Sequence, residues 1–199
     1  MGYYYLGAQL PYLIYGQTPP MTSKAFKELA SELMGSSGAA LLEYCTLDPA
    51  PPKEENKGAA YAEPAPATSS SLINKWKEWE RTLRLNLAKN RSLKLKREAS
   101  TLGDAPAVPA DAALAAKNAM AMESPLEAEL HLCRAQWDAI ESFQGLSSFS
   151  ESSMYAYMLK LLIMERMSAF KTEEGHNEYK ALYAAILGER KLEFDSWQK

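Results

Sequence analysis

Histidine and cysteine are scarce in this sequence, two of each in 199 residues, and their spacing excludes most of the chemistry they usually support. Cys45 and Cys133 stand far apart with no C-x-x-C partner, so they supply neither a disulfide framework nor a zinc knuckle. They read as buried free thiols of a protein from a reducing compartment. His131 and His176 have no second histidine or cysteine at a ligand spacing. The one near pair, His131 with Cys133, falls at i,i+2, which points to different sides of a helix. Absent too is the G-x-S-x-G nucleophile elbow. The Gly-Ser-Ser-Gly run at 35–38 lacks the lysine of a phosphate loop and follows no strand, so it reads as a turn between helices. No catalytic residue, no metal ligand and no cofactor is expected.

Long hydrophobic runs are missing as well. The most apolar window, residues 154–164, is too short to cross a bilayer of about 30 Å and is interrupted by Lys160. The tyrosine-rich start, residues 1–15, lacks the basic n-region and the small-residue cleavage site of a signal peptide. A cytoplasmic protein without membrane insertion is the expectation, and no internal repeat of solenoid period is evident.

Net charge is only −3, but it is unevenly placed. Residues 75–97 hold nine basic side chains against Glu78 and Glu80, so this segment carries +7 and the remainder −10. Such a chain seeks an acidic partner, or an acidic neighbour within itself.

The pattern of apolar residues is helical almost throughout, and an all-α helical bundle is predicted. Residues 2–16 alone are undecided between strand, extended arm and ragged helix, with Pro11 breaking any helix. Thr22 or Ser23 can cap a helix through Met34 with Phe26, Leu29, Ala30 and Leu33 on one stripe. A short helix over 39–45 follows the 35–38 turn. Residues 48–68 contain five prolines and few large apolar groups, so they read as a flexible loop or linker in the N-terminal third. Residues 101–109 form a second, shorter linker within what is read as a single domain over 1–199.

Between these linkers, Leu72, Trp76, Trp79, Leu83 and Leu87 fall at spacings of four, three, four and four, the buried stripe of a long helix over 71–100. An alanine-rich helix over 111–122 is suited to close packing. Ser124-Pro125-Leu126-Glu127 is a capping box with proline at the first helical position. The helix it opens carries Leu126, Leu130, Cys133, Trp137 and Ile140 at bundle spacing. Residues 151–171 are apolar on nearly every side, which places that helix at the bundle centre with Leu162 as a core position. Gly175 ends it, and a last helix is predicted over 177–187.

Two groups of charged residues stand out. Lys160, Glu165 and Arg166 interrupt the most hydrophobic helix, and buried charge must be paired, so they are expected to form a buried network with the acidic and basic groups of the Ser124 helix, Arg134 and Asp138 among them. Glu127, His131, Arg134 and Asp138 also line one side of their own helix. On the basic helix, Arg81, Arg84, Arg91, Lys94 and Lys96 lie mostly off the Leu/Trp stripe and are the candidate partner-binding residues. Cationic helices with aromatic platforms serve nucleic acids as well. Trp76 and Trp79, however, belong to the apolar stripe. A nucleic-acid or acidic-protein binding module using residues 75–97 is the alternative reading.

Several strings, in order along the chain, carry a resemblance: YYYLGAQLP at 3–11, LRLNLAKNRSLKL at 83–95, SPLEAELHLCRAQWDAIE at 124–141 and AYMLKLLIMERMSAF at 156–170, followed by EEG at 173–175. Together they resemble a small bacterial family of helical domains encoded with V/A-type ATPase subunits, itself distantly similar to the C (or d) subunit that caps the rotor ring. The resemblance implies a non-catalytic accessory or subunit-C-like component of a V/A-type ATPase. It would act by docking to ATPase subunits in the cytoplasm, peripheral to the membrane through that complex. Rotor-cap subunits are larger, with repeated helical modules, whereas this chain has room for one or two.

Overall fold

The computed structural model describes residues 2–47, 67–96, 107–170 and 182–183, and these contain seven α-helices and no strand. In chain order they are α1 (Gly2–Gln9), α2 (Ser23–Leu33), α3 (Ser36–Leu41, continued by a 3-10 turn over Leu42–Tyr44), α4 (Ser71–Lys94), α5 (Ala110–Ala121), α6 (Pro125–Gln144) and α7 (Glu151–Ser168). The expected all-α bundle is what forms. Most of the predicted linker over 48–68, most of that over 101–109, and the last helix over 177–187 apart from Leu182 and Tyr183 lie outside the described residues. The chain divides into two compact units, Met1–Met167 and Ser168–Lys199, and the bundle belongs to the first.

The helix starts follow local capping chemistry. The side chains of Thr22, Ser70 and Ser124 each accept a hydrogen bond from the backbone N–H three residues on, at Ala25, Ile73 and Glu127. Each satisfies one of the N–H groups a helix leaves free at its start. Pro125 occupies the first turn of α6, where its missing N–H is no loss. At the edge of the proline-rich segment, Thr68 is tied to Asn74 through its backbone N–H, its hydroxyl and its carbonyl, so the chain is anchored before α4 begins.

Side-chain pairs give the directions of the helices. Trp79 meets Asp111 and Lys94 meets Met120, so α4 and α5 run the same way. Lys160 meets Glu141 and Arg166 meets Glu129, so α6 and α7 are antiparallel. The small alanine faces of α5, with Ala112, Ala115, Ala116 and Ala119 buried, let its backbone approach α4 and α6.

The centre of the bundle is α7, in which Met154, Tyr155, Ala156, Met158, Leu159, Leu161, Ile163 and Met164 are buried. It touches α1 where Met154 lies against Gly7, α2 through the Phe26–Tyr157 ring contact at 5.0 Å, and α3 where the Tyr155 hydroxyl approaches the Gly38 carbonyl. A helix with neighbours on so many sides needs apolar residues at every helical angle.

Several expectations shift. Residues 2–9, undecided by periodicity, form α1, which is held by fully buried Leu6. The turn expected over 35–38 shrinks to Gly35, because α3 starts at Ser36 and Gly38 lies inside it. The helix expected over 71–100 ends at Lys94, with Lys96 in a left-handed conformation (φ 52°) closing it. Leu126 is 37% exposed, since the first turn of α6 extends past its neighbours. Leu162 is half-buried at the edge of a cleft rather than in the core.

Candidate docking surface

The eight described basic residues at 75–96 do not form one surface, because the bundle engages those up to Arg84 more closely than those near the end of α4. Arg81 pairs with Glu78 at 3.2 Å. Arg84 is bonded to Glu80 and also donates to the Leu47 carbonyl, which clamps the end of the 42–47 segment onto α4. The indole of Trp76 donates to the Thr46 carbonyl beside it at 3.1 Å, and the Lys77 ammonium lies 4.3 Å from the centre of the Tyr44 ring. Burial lowers the pKa of Lys77. Arg81 and Arg84, expected on an open surface, are therefore half-buried and engaged within the chain.

Beyond Arg84 the picture reverses. Arg91, Lys94 and Lys96 are exposed and Lys89 is half-buried, and none of the four pairs with an acidic side chain among the described residues. Lys94 donates to the Met120 carbonyl at 3.0 Å, in the last turn of α5, where carbonyls lack helical partners. Leu93 and Leu95 in the same stretch are each 63% exposed. Apart from that Lys94 contact, the last turn of α4 is largely exposed.

The tryptophans are not part of that surface. Trp76 and Trp79 stack at 5.9 Å and are each 1% exposed, so neither offers a face to a base. The Trp79 indole N–H is satisfied by Asp111 at 2.7 Å.

The five residues expected to form one buried charge network are placed apart. Arg134 and Asp138 pair at 3.1 Å on the surface of α6, and the Arg134 guanidinium lies 5.0 Å from the Tyr15 ring. His131 and Glu127 do not extend that pair into a ladder, and His131 Nε2 is buried with no hydrogen-bond partner among the described residues. Lys160 reaches Glu141 at 3.2 Å and lies 5.0 Å from the Trp137 ring. Burial pushes the Glu141 carboxyl up, but hydrogen bonds and charge from Lys160, with help from the Trp137 N–H and Arg134, outweigh it and hold the pKa below its ordinary value. Arg166 pairs with Glu129 at 3.0 Å. Glu165 turns to α2, where its two oxygens accept from the Ser23 N–H at 2.6 Å and the Ser23 hydroxyl at 2.8 Å. A carboxylate at the start of a helix meets free N–H groups and the positive end of the dipole. Lys160 and Arg166 do find acidic partners on the helix opened by Ser124, as expected, but which acids those are, Glu141 and Glu129, and the turn of Glu165 to Ser23 are decided by helix register.

The remaining chemistry is quiet. Burial pushes the Cys45 thiol up to about 12 and also raises Cys133, so both stay protonated and unreactive. An open cleft of about 700 Å³ is lined by Ser23, Lys24, Lys27, Met158, Leu162 and Glu165 among others. Its charges are mostly spoken for: Lys27 by Glu43 at 3.0 Å, Glu165 by Ser23 and Arg166 by Glu129. Among the described residues no group of three or more His, Cys, Asp or Glu could hold a metal ion, and no helix is long and apolar enough to cross a membrane.

No protein-family model, curated protein or solved structure matches the chain.

Proposed function

We propose that the protein is a non-catalytic accessory or subunit-C-like component of a V/A-type ATPase, and that it works by docking through the exposed end of α4. The partner follows from the resemblance of its sequence strings. The mode of action is carried by one observation: among the described residues the cations at Lys89, Arg91, Lys94 and Lys96 have no acidic partner, whereas Arg81 and Arg84 do. The macrodipole and the Lys94–Met120 contact favour a cation or two at this end, but like charges on one helix also repel one another, and an acidic surface on another protein would relieve that repulsion.

The test is recovery of the tagged full-length protein from its native host at low and at moderate salt. ATPase subunits are expected in the low-salt eluate and are expected to be lost as salt rises, since exposed charges are screened over about 8 Å at physiological ionic strength. Nucleic acid without ATPase subunits would favour the alternative module instead.

A further inference from the structure

We propose that the protein pairs with a second copy of itself through an uncharged aromatic face, formed by α1, the segment after it and the turn between α6 and α7. The inference uses none of the α4 cations and stands apart from the docking reading above.

The face is held together by contacts. Tyr4 and Leu6 are two apart on α1 and lie on different sides of it. Leu6 is fully buried, which leaves Tyr4 outward with 66% of its surface in water. The Phe149 ring, in the turn before α7, packs on the Tyr4 ring at 4.5 Å between centroids and lies against Gly7, one turn further along α1. Beside this pair is a groove of about 230 Å³, lined by Gly7, Pro11 and Tyr12 together with Gln144, Ser148 and Tyr157. Tyr12 is 87% exposed, and Leu146, which sits between the lining residues Gln144 and Ser148, is wholly in water. Apolar side chains exposed singly are ordinary on a protein surface, but an exposed patch of four around one groove calls for a partner.

What the face lacks selects that partner. No charged side chain occurs in residues 1–23 or in residues 142–150. The charges that flank the second stretch are engaged within the bundle, Glu141 with Lys160 at 3.2 Å and Glu151 with the Tyr155 hydroxyl at 2.6 Å. In a two-fold contact a patch meets itself, so a charge near the axis would face its own kind. A face of tyrosine, phenylalanine, leucine and serine carries no such penalty, and homodimer interfaces are more apolar and more depleted of charge than other contacts. A different protein is ordinarily steered by charge of the opposite sign, and a membrane surface by cations set among the apolar side chains; this face offers neither. Leu146 projects beside the groove, so a two-fold axis between them sets the leucine of each copy into the groove of the other.

The experiment is sedimentation of the purified full-length protein from about 1 to about 100 µM, over which dimer is expected to replace monomer. Tyr12→Asp/Leu146→Asp sets like charges on both copies and is expected to weaken dimerisation by about tenfold or more. Helicity and melting temperature are expected to hold, because both side chains are already in water. Should the double variant fold poorly, Leu146→Asp alone carries the test. Leu114→Asp/Leu126→Asp, at exposed leucines of α5 and α6, is expected to change dimerisation by less than about threefold. Tyr12→Lys and Leu146→Asp, each monomeric alone, are expected to pair when mixed, since one of the two contacts then joins opposite charges. The proposal is overturned if the parent stays monomeric throughout, if the Tyr12 and Leu146 variant dimerises like the parent, or if the mixed variants stay apart. It is also overturned if the parent floats with phosphatidylcholine vesicles and the double variant does not, because the face would then sit on lipid. Recovery of ATPase subunits from the host bears on the docking reading alone, so the two fail separately.

Discussion

A methyl group added at Gly38 would stand 3.0 Å from Tyr3 Oη, 3.1 Å from Met34 Cε and 3.2 Å from Glu151 Oε1, inside the junction of α1, α3 and α7. The carboxylate there cannot give way cheaply, because Glu151 accepts a 2.6 Å hydrogen bond from the buried Tyr155 hydroxyl. Gly7 offers a contrast. Its added Cβ would come within 2.8 Å of the Phe149 ring, but that ring is 44% exposed and the Tyr4 ring it packs on, 4.5 Å away between centroids, is exposed too, so the pair has solvent to shift into. Both glycines are helical, so alanine would gain roughly 1 kcal/mol of helix propensity at either. At Gly38 the crowding is expected to exceed that gain, from overpacking costs of about 1–3 kcal/mol, and Gly38→Ala to be destabilised on denaturant melts while Gly7→Ala is not. Equal midpoints for the two variants would show that α1 yields at both places. Nothing in the local string Gly-Ser-Ser-Gly distinguishes these roles, since a turn glycine and a close-contact glycine are the same residue in sequence.

At the level of the helices, α7 shows what an apolar pattern can and cannot say. Its position at the centre follows from having apolar residues at every angle, and Leu159 and Leu161 are indeed fully buried. Leu162 is equally apolar but faces the open cleft. Leu159→Ala is expected to cost about 2–5 kcal/mol, the range of fully enclosed leucines, and Leu162→Ala clearly less, because part of its surface is already in water. Thermal or chemical melts of the two variants decide it; a larger loss at Leu162 would mean the cleft is closed in solution. The same reasoning applies to α4, whose stripe of Leu72, Trp76, Trp79 and Leu83 is buried as its spacing predicts, while Leu87, the next member, is only half-buried. The stripe continues in sequence where the packing around α4 thins.

The bundle as a whole is clasped by charge as well as by apolar packing, and this gives it a direction of response to acid. The Lys160–Glu141 contact joins α7 to α6, and Glu141 also receives the Trp137 indole N–H at 2.9 Å. Since the folded state lowers the pKa of Glu141, its contribution is fully present above the unfolded carboxyl value of about 4.3 and fades as pH falls through the lower folded one. Glu141→Gln can still accept from the indole but has no such titration. The variant is therefore expected to melt below the parent at neutral pH, with the gap narrowing below about pH 4. Melting temperatures that stay equally spaced from pH 7 to about pH 3 would mean the charge of Glu141 adds nothing, as is common for half-exposed pairs.

Helix content, the sharp starts at Thr22, Ser70 and Ser124, and the burial of α7 were determined by the sequence alone, because capping and periodicity are local and repeat within a turn or two. The uneven charge of residues 75–97 was also legible there. Which of those cations are free was not. Arg84 is consumed by Glu80 and by the carbonyl of Leu47, thirty-seven residues away, whereas Arg91, Lys94 and Lys96 are exposed at the end of α4 and pair with no acid among the described residues. Lys160, Glu165 and Arg166 likewise announced themselves as charges needing partners, but Glu141, Ser23 and Glu129 reach them from other helices. Periodicity assigns a residue to a face of its own helix. Only the register and length of the neighbouring helices decide what that face meets, and those are set by the packing of the whole core.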